Sequence, residues 1–374
     1  MSDLDRLVEE LHASVAGAPA PDEAIRLISW LERVRAWDGV DLLLVAGAAP
    51  SVRVDGLLRP IDSPPLDGLA IEEAVLPALP AHAQRQYRDG GIADASFRVQ
   101  GLGRFRVNLH RERGRAAAAI RALPAHPPRL DSLGLPPTIE LLTRLPRGLV
   151  LVGGPTGSGK TTTLAGIVDA INARDRRHIV TIEDPIEYEH RHNLSIVEQV
   201  EVGVDAPDFP TALRAAVRQA PDVIVVGEMR DPETMATAVA AAETGHLVLS
   251  TLHTPDVSST VARIADAFPP ERQTTIRQEL SLALAAVLTQ TMLPRIGGGI
   301  VPACELLMVG YGARQHIRKN ALQHLHQEIT ITRRDGSFTF EESLARLVKE
   351  GLVERQEAQA RAVHPEELES ALAR

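Results

Sequence analysis

The sequence predicts a two-domain α/β protein, with a smaller N-terminal α+β domain and a larger C-terminal domain built on a mostly parallel sheet. Three observations carry this. Compact apolar runs at 149–152, 179–182, 223–226 and 247–250 alternate with stretches of helical periodicity, the rhythm of strands covered on both faces by crossover helices. Residues 41–123 instead carry short strand patterns broken by turns, with helical patterns near 71–88. Between them, Pro124, Pro127, Pro128, Pro136 and Pro137 punctuate a segment that neither a helix nor a central strand tolerates. With 374 residues, 44% of them hydrophobic, the chain can bury two cores.

Taken in order, residues 1–37 read as an N-terminal helical extension. Leu4, Leu7, Val8 and Leu11, then Ile25, Ile28 and Leu31, lie at helical spacing on either side of Gly17-Ala18-Pro19-Ala20-Pro21. The α+β domain spans 38–123. Its strands fit 42–45, 51–54 and 57–61 around the Asp55-Gly56 turn, then 93–99, 104–110 and 116–123, with Gln100-Gly101-Leu102-Gly103 turning the chain between the first two of these. Residues 124–137 form the linker and 138–374 the second domain. Beyond Leu307 the pattern is helical to the end, apart from a short β pair expected at 329–340 around Asp335-Gly336.

Composition narrows the function. Lys and Arg number 40 against 49 Asp and Glu, a net charge of −9, which offers no global field for holding nucleic acid, so none is expected as a partner. The single cysteine, Cys304, rules out an internal disulfide and any cysteine-rich zinc module, so no zinc site is expected. The start, MSDLDRLVEELHASVAG, is acidic and amphipathic and unlike a secretory signal. No apolar run approaches the roughly 20 residues of a bilayer span, so membrane association would pass through a partner.

Four segments carry chemistry. Gly154-Pro155-Thr156-Gly157-Ser158-Gly159-Lys160-Thr161, followed by Thr162, matches the Walker A pattern directly after a strand and before a helix. Its glycines let backbone N–H groups turn toward a phosphate at the helix N-terminus, Lys160 supplies charge for the β and γ phosphates, and Thr161 can ligate Mg²⁺. ATP and Mg²⁺ are therefore the expected cofactors. In Val223-Ile224-Val225-Val226-Gly227-Glu228 a strand carries an acid to the sheet edge where ligands gather, and Glu228 can orient or deprotonate the attacking water. Thr181-Ile182-Glu183-Asp184-Pro185-Ile186-Glu187 places three acids after another strand, fit either to hold metal-bound water or to cap a helix. Glu243-Thr244-Gly245-His246 and Ser250-Thr251-Leu252-His253-Thr254 put histidines at both ends of a buried strand, where a satisfied core histidine is the commoner outcome.

Together, GPTGSGKTT, TIEDPIE, VIVVGEMRD and AAETGH…STLHT stand in an order that resembles the Walker A, Asp box, Walker B and His box of the secretion ATPase superfamily. Arg53-Val54-Asp55-Gly56, Arg104-Phe105-Arg106-Val107-Asn108, Arg147-Gly148-Leu149-Val150 and Ile296-Gly297-Gly298-Gly299 extend the likeness to its PilT-type retraction ATPases over about residues 38–364. The lone Cys304 agrees, since extension and secretion motors of that superfamily usually carry a tetracysteine zinc module.

The resemblance implies a RecA-like core behind a PAS-like N-terminal domain, assembled as a homohexameric ring. It implies ATP hydrolysis in the cytoplasm against a platform protein of the inner membrane. It also gives Lys160 the phosphates, Thr161 the metal, Glu183 and Glu228 the catalytic acids, and His246 and His253 the γ-phosphate-sensing and interface positions. Arg104, Arg106 and Arg113 fall in the segment that supplies arginines to the nucleotide. This sequence departs from the family at Asp41-Leu42-Leu43-Leu44, which lacks a customary histidine, and at Ala220, where an acid is usual. A nucleotide-dependent regulator without turnover and a nucleic-acid translocase are the alternatives, and the intact acids and the acidic balance count against them in turn.

Overall fold

The computed structural model describes residues 21–374, with side chains from residue 25. The first helical pattern, with Leu4 to Leu11, lies outside the described residues. The described residues divide into two compact units, one ending at His126 and the other running Pro127–Arg374.

In the first unit, α1 (Pro21–Ala36) precedes a six-stranded antiparallel sheet of order β3-β2-β1-β6-β5-β4. Its strands are β1 (Asp41–Val45), β2 (Ser51–Val54), β3 (Leu57–Pro60), β4 (Ile92–Val99), β5 (Gly103–Glu112) and β6 (Arg115–Ala122), with α2 (Gly68–Val75) and α3 (Ala81–Gly90) between β3 and β4. The period-2 pattern on β5 is clear: Phe105, Val107 and Leu109 are buried and Arg104, Arg106, Asn108 and His110 take the other face. Leu27, Ile28 and Leu31 of α1 join the same core.

The second unit has a seven-stranded sheet of order β13-β12-β7-β11-β10-β8-β9. Five of its strands are β7 (Gly148–Gly153), β8 (His178–Glu183), β9 (Ile196–Glu201), β10 (Val223–Val226) and β11 (Leu247–Leu252), all mutually parallel. The α/β expectation holds. Burial on both faces explains the unbroken apolar runs, because alternate residues of one strand enter different cores. Leu149 and Leu151 join the cluster with α6 (Pro232–Glu243), α7 (Val257–Asp266) and α8 (Pro270–Ala283), while Val150 and Val152 join the one with α4 (Lys160–Arg174). A further helix, α5 (Phe209–Ala216), leads into β10. Within 124–137, Leu130 and Leu135 pack against the α4 core.

One hairpin went unanticipated, and one expectation needs correction. The apolar stretch at 282–288 opens a hairpin, β12 (Leu284–Pro294) and β13 (Ile300–Met308), in which β12 runs parallel to β7 and antiparallel to β13. The continuous hydrophobicity of a doubly covered edge hid its period. The β pair at 329–340 does not form: α10 (Leu325–Ile331) passes through a 3₁₀ turn at Thr332–Asp335, and only the bridge Leu306–Phe338 remains. Leu325 and Ile329 are buried, so packing overrides the β propensity of Ile329, Thr330 and Ile331. Helices α9 (Tyr311–Arg318), α11 (Phe340–Lys349), α12 (Arg355–Arg361) and α13 (Pro365–Ala373) complete the unit. Cys304 on β13 is fully buried beneath Ser343, and burial pushes its thiol up to about 12.

Candidate nucleotide site

The site is assembled at the C-terminal ends of the parallel strands. β7 leads into the phosphate loop and α4 begins at Lys160. Gly159 precedes the helix with φ 84°, a left-handed conformation that glycine adopts without a Cβ penalty. At Gly154 (φ 150°) an added Cβ would run into Ser158 and the carbonyl of Gln290, so the loop is drawn tight against β12.

Lys160 is 7% exposed, and its Nζ donates to the carbonyls of Gly154 (2.8 Å) and Pro155 (3.0 Å). Burial pulls its pKa below the usual lysine value, and the negative charge of Glu228 opposes that shift. Glu228 follows β10 and Gly227 and receives a fork from its neighbour Arg230, whose Nε and Nη2 lie 2.9 and 2.8 Å from Oε2. On its other oxygen stands His253 Nε2 at 3.4 Å, while His253 Nδ1 lies 3.4 Å from Thr156 Oγ1. One histidine therefore touches both the phosphate loop and the candidate general base. Thr251 Oγ1 donates to the Gly227 carbonyl at 2.6 Å and Ser250 Oγ to that of Val226 at 2.8 Å, fixing the end of β10 from β11.

Glu183 ends β8 and accepts from Thr181 Oγ1 (2.8 Å) and Gln199 Nε2 (3.2 Å), and burial raises its carboxyl above the usual range. Together with Thr161, Tyr188, His190 and Gly227 it lines a cavity of about 30 Å³, room for one water or ion. Thr162 Oγ1 lies 3.0 Å from the Tyr188 hydroxyl. His190 was not legible as part of the site. Its Nδ1 is buried with no hydrogen-bond partner, and desolvation holds the ring neutral with a pKa of about 4. The hydroxyl of Ser158, 2% exposed, is likewise unpartnered inside the loop. An orphaned buried hydroxyl, a loop with no room for a Cβ and a desolvated lysine fit a phosphate group, and Thr161 beside Glu183 offers the oxygen donors that Mg²⁺ requires.

Gln290 of β12 was also missed. It accepts from Thr163 Oγ1 (2.9 Å) and donates through Nε2 to the Ser158 carbonyl (2.5 Å), all three residues being buried. It clamps the loop to the first turn of α4. Gln290→Leu should leave both partners unsatisfied, costing about 1–3 kcal/mol and lowering the melting temperature by about 2–4 °C per kcal/mol, with weaker nucleotide binding. A melting curve and an ATP Kd indistinguishable from wild type would show that the clamp carries no weight.

His246 stands at the opposite end of its strand from His253, and the three arginines belong to the first unit. His246 precedes β11 at the end where Gly148 begins β7, with Nδ1 2.9 Å from the Ala241 carbonyl. Six strand residues separate it from His253, about 20 Å at the rise of a strand, so the chain does not bring it to its own phosphate loop. Arg104 and Arg106 stand on β5, Arg104 Nη2 being 3.4 Å from Ser96 Oγ. Arg113 sits in the β5–β6 turn with φ 49° and pairs with Glu112 at 3.0 Å.

Residues 52–371 match the Type II/IV secretion system protein family. The chain is 40% identical over 326 residues to the type IV pilus retraction ATPase PilT of Pseudomonas aeruginosa, covering 87% of this chain and 95% of that protein. It is 38% identical to a twitching motility protein of Neisseria gonorrhoeae, covering 87% and 85%. A crystal structure of the pilus retraction motor PilT with bound ADP superimposes with a TM-score of 0.83 at 43% identity, covering 91% of this chain and 98% of that one. The Legionella pneumophila ATPase DotB gives 0.78 at 25% identity, covering 90% and 95%.

Proposed function

Because this chain belongs to the Type II/IV secretion system protein family, we propose that it is a Mg²⁺-dependent ATPase of the PilT type, a hexameric motor that powers retraction of type IV pili. The observation that carries this reading is the meeting of Lys160, Glu228, Thr156 and His253 around one phosphate loop, in a chain similar to retraction ATPases over nearly its whole length.

In this mechanism the N-terminal turn of α4 and Lys160 hold the β and γ phosphates. Glu228 orients the attacking water and takes its proton, and Glu183 orders water on the metal side next to Thr161. Thr161 and Glu183 would hold Mg²⁺, which would supply positive charge against the phosphates. His253, in reach of both the loop and Glu228, reports whether a γ phosphate is present. His246 is left to the boundary between subunits. Arg104, Arg106 and Arg113 supply positive charge to a nucleotide shared across that boundary, where an arginine from outside is worth on the order of 10³–10⁵ in rate. The ring works on a platform protein at the cytoplasmic face of the inner membrane. That placement needs a partner, since among the described residues no helix is long and apolar enough to cross a membrane.

Deleting the gene in its host and counting surface pili tests the direction of the motor. Retraction predicts excess pili and lost twitching, restored by the wild-type gene. Bald cells would assign the chain to extension instead, and unchanged pili would remove it from the pilus machinery.

A further inference from the structure

Away from the nucleotide site, the C-terminal helices bring together a second set of metal-ligating side chains. His326 lies on α10, His364 immediately before α13, and Glu367 three residues later on the same face. His326 Nε2 is 2.9 Å from Glu367 Oε1, the two imidazole centroids are 4.3 Å apart, and one ligand atom from each of the three residues falls within 4.8 Å of the others. We propose that His326, His364 and Glu367 form a binding site for a divalent transition metal, Zn²⁺ foremost.

The chemistry of the donors selects the ion. Two imidazoles and one carboxylate are the borderline nitrogen and oxygen set that suits Zn²⁺, whereas Mg²⁺ requires more oxygens in near-octahedral array. A lone cysteine excludes a thiolate module but has no bearing on an imidazole one. Zn–N and Zn–O bonds of about 2.0–2.2 Å require the three atoms to draw together around the ion, and His364 is the exposed member of the set, with room to turn toward it. The support around the ligands is built. Glu341 of α11, 1% exposed, accepts the backbone N–H of Val363 (3.0 Å) and of His364 (2.9 Å), fixing the chain where His364 leaves it. His326, His364, Glu341 and the buried Glu305 line one cavity of about 240 Å³, so a fourth coordination position has solvent to fill it. The ion would tie α10 to α13 and fasten the C-terminal helices to each other.

Titration of the full-length, nucleotide-free protein with Zn²⁺ in excess Mg²⁺, followed by calorimetry and thermal unfolding, tests the site. The expected result is one Zn²⁺ per chain and a raised melting temperature. Loss of an outer-shell partner alone costs about 10–100-fold in metal affinity, so His326→Ala, His364→Ala and Glu367→Gln should each cost at least that much. The Glu228–His253 pair is the competing locus, and His253→Ala should leave both the stoichiometry and the stabilisation intact. Because His364 is exposed, its variant should fold even if His326→Ala does not. Zn²⁺ binding lost in His253→Ala and kept in His364→Ala would overturn the proposal, as would a wild-type chain that binds no Zn²⁺ and pairs His326 with Glu367 as a simple ion pair.

Discussion

Lys160→Ala will fold but will not bind ATP productively. The side chain is 7% exposed and its ammonium already lies desolvated between the Gly154 and Pro155 carbonyls. Lys160 is the one positive charge within residues 154–161, so its loss removes the loop's own counter-charge to the β and γ phosphates. Removing one such preorganised donor costs on the order of 10²–10³ in turnover, and ATP affinity falls with it. Circular dichroism confirms folding and a nucleotide titration gives Kd. A tight, unaltered ATP Kd would remove Lys160 from the phosphate site.

Glu228→Gln separates binding from hydrolysis. The amide keeps the size of the carboxylate and its one oxygen can still accept from Arg230, but its NH2 group only donates and it cannot take a proton from water. ATP should bind normally while turnover falls by about 10²–10⁴-fold. Near-normal hydrolysis in this variant would transfer the role to Glu183. The same variant tests the shared site. If Arg104 acts on a neighbour's nucleotide, Arg104→Ala and Glu228→Gln should both be inactive alone, and rings that mix them should regain turnover. In such a ring an Arg104→Ala subunit keeps its own Glu228 and receives Arg104 from the subunit beside it. Mixed rings with no gain over either parent would exclude Arg104, and the same mixture with Arg106→Ala or Arg113→Ala would then identify the donor.

The phosphate loop was readable because its information is local. A buried strand, the glycines at 154, 157 and 159, Lys160 and Thr161 follow one another between Gly148 and Thr161, and each residue type is dictated by the backbone or by the phosphate. Glu228 was readable for a related reason, since four apolar residues deliver it to the sheet edge. Gln290 had no such signal. It lies far along the chain from Ser158 and Thr163 and becomes a clamp only because β12 pairs in parallel with β7, a crossover that no short window contains. The fork from Arg230 was hidden differently, as a surface arginine two residues past an acid looks like any solvated charge. In the N-terminal unit, the alternation on β5 sets Arg104 and Arg106 opposite the buried Phe105, Val107 and Leu109, because half-buried strands display their period. Strands buried on both faces lose that period, and for this reason the β12–β13 hairpin went unread.

The burial of Cys304 has a practical side. At neutral pH a thiol held near 12 is ionised to only on the order of one part in 10⁵, and thiolate is the reactive form. The wild-type chain should thus be inert to maleimides and mild oxidants while folded. A cysteine introduced at an exposed position such as Glu271 on α8 would be the one attachment point for a fluorophore, with no need first to remove the native thiol from its core. Each subunit of an assembled ring could then carry a single dye at a known residue, and its movement during turnover could be followed optically.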